Sequence, residues 1–153
     1  MTGAAARLDV RGSRRSGLLL GAAFMAGMDE IVFHQVLGWH HFYDRSTSAI
    51  GLLSDGLLHA AELMAIVAGL FVLADLLRSR TFSVAFFRAG LLLGLGGFQL
   101  FDGVVDHKIF QVHQVRYDVP LLPYDVVWNV VGVVLLLIGF ELHRRASRNA
   151  LSP

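Results

Sequence analysis

Residues 17–42, GLLLGAAFMAGMDEIVFHQVLGWHHF, return in altered form as residues 90–115, GLLLGLGGFQLFDGVVDHKIFQVHQV. Asp29, His34 and His40 of the first stretch correspond to Asp102, His107 and His113 of the second, at a constant offset of 73 residues. Gly17 and Gly21 correspond in the same way to Gly90 and Gly94, a small-xxx-small pattern that favours close helix approach. Both stretches are strongly apolar. Carboxylates and imidazoles are expensive inside hydrocarbon, and a chain that sets them there twice is expected to use them. The first expectation is therefore a duplicated polar site within a membrane domain.

Composition supports the membrane setting. Of 153 residues, 55% are hydrophobic and 16% charged, with a mean hydropathy of +0.59. A soluble domain carries about 25% charged residues. Four segments reach the roughly 20 residues that a helix needs to cross a bilayer core, near 17–37, 50–77, 85–110 and 124–142. The expected fold is all-α: a four-transmembrane-helix bundle spanning 17–142, built from two tandem helical hairpins. A pseudo-twofold axis along the membrane normal should relate the hairpins. The segments 1–16 and 143–153, with His143, read as polar tails. Asp55-x3-His59 on the second span has a looser echo in Asp125-x3-Asn129 on the fourth. Trp39, Phe42 and Tyr43, and Tyr124 and Trp128 after Pro120 and Pro123, suit the membrane interface.

Basic residues alternate between the two ends. Arg7, Arg11, Arg14, Arg15, Arg78, Arg80, Arg88, Arg144, Arg145 and Arg148 fall at one end, and only Arg45, Lys108 and Arg116 at the other. The positive-inside rule then puts both termini in the cytoplasm. Beside apolar spans these arginines do not read as a nucleic-acid surface. Arg14-Arg15 before an apolar run also suits an export signal, but the run continues through Leu37 and matches the third span, so a retained helix is expected. There is no cysteine, which excludes disulfides, thiolate metal sites and cysteine nucleophiles.

At 100° per residue, Glu30, His34 and His41 fall on one face of the first helix, with Asp29 and His40 on an adjacent stripe. Asp55, His59 and Glu62 share a face of the second span. On the third, Asp102, Asp106 and His113 align and His107 is rotated away; Asp125 and Asn129 add to the set from the fourth. All lie near the midplane or toward the end remote from the arginine clusters. Seven carboxylates (Asp29, Glu30, Asp55, Glu62, Asp102, Asp106 and Asp125) face one lysine, Lys108. At about 2.5–3.5 kcal/mol for each charge at a helix centre, they call for protons, water or bound cations. Imidazole and carboxylate without thiolate suit zinc, iron, manganese or copper(II). The expected ligands are Glu30, His34, His41, Asp55, His59, Glu62, Asp102, Asp106, His107 and His113, with Glu30, His34, His59 and Glu62 as the leading group. Asp29, His40, Asp125 and Asn129 are expected to orient them. Met25, Met28 and Met64 read as packing.

The motifs GMDEIVFHQVLGWHH, SDGLLH and GGFQLFDGVVDHKIFQVH resemble a bacterial family of four-helix predicted membrane proteins described as a domain of unknown function. The likeness covers about residues 17–142, with Gln99 where related sequences often read asparagine. It implies a bacterial plasma-membrane protein whose motif positions are Asp29, Glu30, His34, His40, His41, Asp55, His59, Asp102, Asp106, His107 and His113. Links of some members to a copper-dependent cytochrome oxidase assembly factor imply respiratory oxidase assembly machinery as a partner.

The leading expectation is a transition-metal site opening away from the cytoplasm. Three alternatives stand beside it. One is a membrane oxidoreductase or hydrolase with metal-activated water and Asp29 or Glu62 as base. Another is b-type haem between His34 or His59 and His107. The last is a proton pathway or purely structural polar network. The lipid bilayer is the obligatory partner, and a homodimer through the glycine faces is a further expectation.

Overall fold

The computed structural model describes residues 7–151; the outermost tail positions, 1–6 and 152–153, lie outside the described residues. Helix α1 covers Val10–Asp29 and continues as a π-helical segment, Glu30–Val36. Helix α2 covers Ser48–Arg78. Helix α3 covers Val84–Leu100 and continues as a second π-helical segment, Phe101–Ile109. Helix α4 covers Leu121–Leu151, with Pro123 in its first turn, where a missing N–H costs no helical hydrogen bond. All four are long and apolar enough to cross a membrane, and no strand occurs among the described residues. Two boundaries differ from expectation. Helix α1 starts at Val10 rather than Gly17, because Asp9 caps it by accepting from Gly12 N at 2.8 Å. Helix α4 runs on past Leu142, so residues 143–151 are helical rather than a tail.

The helices pack in the order α2–α1–α3–α4, with α2 and α4 not touching each other. The centre is the α1/α3 crossing, and glycine makes it possible. A Cβ at Gly17 would collide with the Phe87 carbonyl oxygen, and one at Gly21 with that of Leu91. Reciprocally, Gly90 sits against the Arg14 carbonyl and Gly94 against that of Leu18. Each contact maps onto its counterpart by the offset of 73, as a twofold relation between hairpins requires. The glycine faces are thus occupied within the chain. Ser13 Oγ accepts from Ser83 N at 2.9 Å, and Ser16 Oγ donates to Gly69 O at 2.9 Å, tying α1 to the start of α3 and to α2.

The outer helices bury little. Phe71, Leu57, Leu137 and Phe140 stand exposed on α2 and α4, the surface that a hydrocarbon solvent demands. Trp128 does not anchor an interface as expected: it is buried, donating Nε1 to Gln99 O at 3.0 Å, while Gln99 Nε2 donates to Trp128 O at 2.9 Å. At the other end His143 is packed edge-to-face on Phe86.

Because the added methyl would meet backbone that cannot swing aside, Gly21→Ala and Gly94→Ala are each expected to cost about 1–3 kcal/mol. Thermal unfolding in detergent checks this. A Gly56→Ala control, where a Cβ meets nothing, should be neutral or stabilising.

Candidate metal centre

The two π-helical segments carry the polar residues, and their backbone explains the geometry. On a regular α-helix residues five apart lie about 140° from each other. Bonding from i to i+5 widens the turn, so residues five apart come onto one face. Asp29 and His34 are brought together in this way, as are Asp102 and His107. The Gln35 Nε2 to Glu30 Oε1 hydrogen bond, 2.7 Å, has the same spacing. The α-helical reading that put Asp29 on a separate stripe from His34, and His107 away from Asp102, is corrected by this widening.

Both segments end alike. Leu37 N donates to Val32 O and Trp39 N to Phe33 O; 73 residues on, Phe110 N donates to Val105 O and Val112 N to Asp106 O. Gly38 (φ 58°) and Gln111 (φ 52°) then take left-handed backbone and turn the chain back on itself. His40, His41 and His113 therefore lie on the connecting loops, not on the helices where the sequence put them.

The reversal carries the two loop histidines across the twofold. His40 Nδ1 donates to Val115 O at 2.9 Å, and His113 Nδ1 donates to Phe42 O at 2.9 Å. Since a carbonyl only accepts, both Nδ1 atoms hold protons, and in the neutral rings Nε2 carries the lone pair. The rings stack at 4.6 Å and 8°. His34 flanks His40 at 4.4 Å, and His107 flanks His113 at 4.6 Å, giving four imidazoles in one buried row.

Two three-residue sets result, Asp29/His34/His40 and Asp102/His107/His113, every member buried. In the second set His107 Nε2 is 3.0 Å from His113 Nε2. Asp102 Oδ2 lies 3.1 Å from His107 Nε2 and Asp102 Oδ1 3.2 Å from His113 Nε2. A metal with bonds of about 2.0–2.1 Å needs ligand atoms about 3.0–3.4 Å apart, so this set has the dimensions of a coordination face. In the first set His34 Nε2 is 3.5 Å from Asp29 Oδ2, and His40 Nε2 is buried with no hydrogen-bond partner. His34 Nε2 and Asp102 Oδ2 are likewise buried without an aligned partner. Such orphaned acceptors are costly unless a cation meets them.

Among the described residues, carboxylates lie within hydrogen-bonding distance of the outer nitrogen of His34 but not of that of His107. His34 Nδ1 lies 3.0 Å from Asp55 Oδ1 and 2.8 Å from Glu30 Oε2, forming a third cluster that could hold an ion. Asp55 also receives His41 Nδ1 at 2.6 Å and Phe42 N at 2.7 Å. In the second copy the position of Glu30 is Gly103 and that of His41 is Gln114, and His107 Nδ1 has no protein partner. His59 and Glu62 pair with each other at 2.6 Å, not with His34. His59 is 47% exposed and, with Glu30, Gln35 and Asp55, lines a lateral recess of about 380 Å³. Asp106 is buried but joins neither set. Asp125 pairs with Lys108 at 2.7 Å, and Asn129 Nδ2 donates to Asp125 O, so both stay on the α4 side.

Sequence reasoning gave Asp29 and His40 an orienting place beside the expected ligands, where the structure groups both with His34, and it did not foresee the Phe42 and Val115 carbonyls or Arg116, whose guanidinium lies 4.8 Å over Trp39 and donates to the Tyr124 hydroxyl at 3.0 Å. The signal for the first two was present: of the polar residues in the quoted stretches, only Asp29, His34 and His40 recur at the offset of 73 as the same residue types.

Fold and centre together define a multi-pass membrane protein with a buried histidine–carboxylate core. The chain belongs to the family described as a predicted membrane protein (DUF2243), which matches residues 16–146. No curated protein and no solved structure matches it.

Burial, then the nearby His113 and His34, push the His40 pKa down to about 2. For His113 burial works the same way, but Asp102 beside it outweighs that and holds the pKa above the ordinary histidine range. A depressed His40 stabilises the fold above the unfolded pKa of about 6.5, and that contribution is lost as pH falls. A raised His113 stabilises below 6.5 and loses its contribution above. In chelator-treated protein the joint contribution of these two histidines should therefore peak near pH 6.5, and His40 should contribute up to about 1.4 kcal/mol per unit of acidification below it. His40→Gln should flatten that acid limb between pH 6.5 and 5 in thermal melts. An unchanged limb would refute the assignment.

Proposed function

We propose that the protein holds a pair of transition-metal ions, one in each Asp-His-His set, at the arginine-poor end of its membrane domain. One observation carries the reading: Asp102 and the Nε2 atoms of His107 and His113 converge within 3.0–3.2 Å, and the same three residue types gather more loosely, within 4.8 Å, at Asp29, His34 and His40. The loop imidazoles are already oriented by carbonyls on their Nδ1 side, as metal-binding histidines usually are. Two histidines and one carboxylate suit iron(II), and the same donors accept zinc, manganese or copper(II). Each ion would bring positive charge to carboxylates that have no buried lysine or arginine beside them. Ring-to-ring contact among the four imidazoles favours ions over a haem, whose plane must fit between its axial histidines.

Three protein ligands leave coordination positions open, which suits an ion that is passed on or that binds a further molecule, rather than a closed structural site. Metal handling for respiratory oxidase assembly is the use suggested by the family resemblance. A membrane metalloenzyme is the second reading, favoured by the lateral recess beside Glu30 and Asp55, through which a substrate could approach. On the arginine asymmetry, the site end faces away from the cytoplasm.

Elemental analysis of protein purified in detergent should find about two ions per chain. His34→Ala with His40→Ala should remove one of them, and His107→Ala with His113→Ala the other. Full metal content in both double variants, or none in the parent after loading with each candidate ion, would end the reading. The absence of cysteine makes orientation separately testable. In intact cells a membrane-impermeant thiol reagent should label Ser46→Cys and spare Asn149→Cys; the opposite result reverses the topology.

A further inference from the structure

At the arginine-rich end, remote from the histidine centre, the backbones of α1 and α4 stay apart, because α3 lies between them. The gap is a recess of about 460 Å³. Arg11 and Arg14 of α1 line one side, His143 and Ser147 of α4 the other, and Phe86 of α3 closes the floor. Its polar atoms are poorly satisfied: Arg14 Nε and His143 Nδ1 are buried without a hydrogen-bond partner. Nearby acids are engaged elsewhere. Glu141 accepts from Arg144 at 3.1 Å and Arg145 at 2.8 Å, and Asp9 caps α1. Among the described residues no carboxylate is within ion-pair distance of Arg11 or Arg14. Two guanidinium groups, an imidazole and a hydroxyl thus line a cavity to which the described residues bring no carboxylate.

We propose that this recess binds the phosphate of an anionic phospholipid headgroup. Guanidinium groups present paired N–H donors that match phosphate oxygens, and an imidazole and a hydroxyl complete a set of donors on the opposite wall. The amphipathic surroundings select lipid over a soluble phosphate. The recess lies at the ends of membrane-length helices, Val10, Phe86 and Ala150 give its lining an apolar part, and Leu8 and Val84, each two residues from a lining position, are exposed. Basic recesses between spans on the positive side of a membrane protein are suited to such headgroups. The site would anchor α1 to α4, whose backbones do not approach each other. It depends on the membrane reading and not on metal at the other end.

Thermal unfolding of the full chain in neutral detergent tests this, with phosphatidylglycerol, phosphatidylcholine or inorganic phosphate added. Phosphatidylglycerol should raise the midpoint by about 4 °C and phosphatidylcholine should not. Arg11→Gln with Arg14→Gln should abolish the rise, as should Ser147→Leu, which fills the recess without altering charge. Arg144→Gln with Arg145→Gln removes as much charge from the same end outside the recess and should preserve it. Loss of the rise in that control would reduce the effect to bulk electrostatics and overturn the site, as would its survival in either recess variant. An equal rise with inorganic phosphate would assign the recess to a soluble anion and overturn the lipid. Native mass spectrometry should count one retained phosphatidylglycerol in the parent and none in the recess variants, a readout independent of how far either variant is destabilised.

Discussion

The close crossing of α1 and α3 is the constraint on which the other features depend. Gly17, Gly21, Gly90 and Gly94 let each backbone rest against carbonyls of the other helix, and a single methyl at any of them meets main chain. With the two helices that near, their π-helical continuations emerge side by side. The two loops can then exchange hydrogen bonds, His40 to Val115 and His113 to Phe42. Were the helices separated by ordinary side chains, neither imidazole could reach the opposite loop. The buried row of four rings would come apart.

The π-helical segments convert that proximity into a site. A regular helix would spread Asp29 and His34 around its circumference and pair each with lipid or a neighbouring helix. The wider turn draws them onto one face, and the left-handed residue that follows returns His40 or His113 to the same point. Each copy thus brings an aspartate and two histidines together from twelve consecutive residues, all three of them buried. Main-chain carbonyls orient the two loop histidines, His40 and His113.

The two hairpins are not equivalent in chemistry. Glu30 and Asp55 face the outer nitrogen of His34 and His41 binds Asp55 from beyond, whereas the second copy has glycine and glutamine at the positions corresponding to Glu30 and His41. The lateral recess at Glu30 and His59 is lined by residues of the first hairpin. A difference of this kind, imposed on a symmetric frame, gives the first side an acidic approach.

Much of this was legible in the residues. Apolar runs fixed four membrane-length helices, since no other segment can satisfy its backbone in hydrocarbon. The recurrence of Asp29, His34 and His40 marked the two hairpins and their polar end, and the glycine spacing marked the contact between them. The grouping of the site residues was not legible, because it depends on backbone that leaves the α-helical period. His40 and His41 read as helical until the chain turns at Gly38. His59 and Glu62 share a face with Asp55, yet the packing of α2 on α1 sends only Asp55 to His34. Periodicity carries information about neighbours within a helix. Which imidazole faces which carboxylate across two chain reversals is decided by packing, and only the tertiary structure contains it.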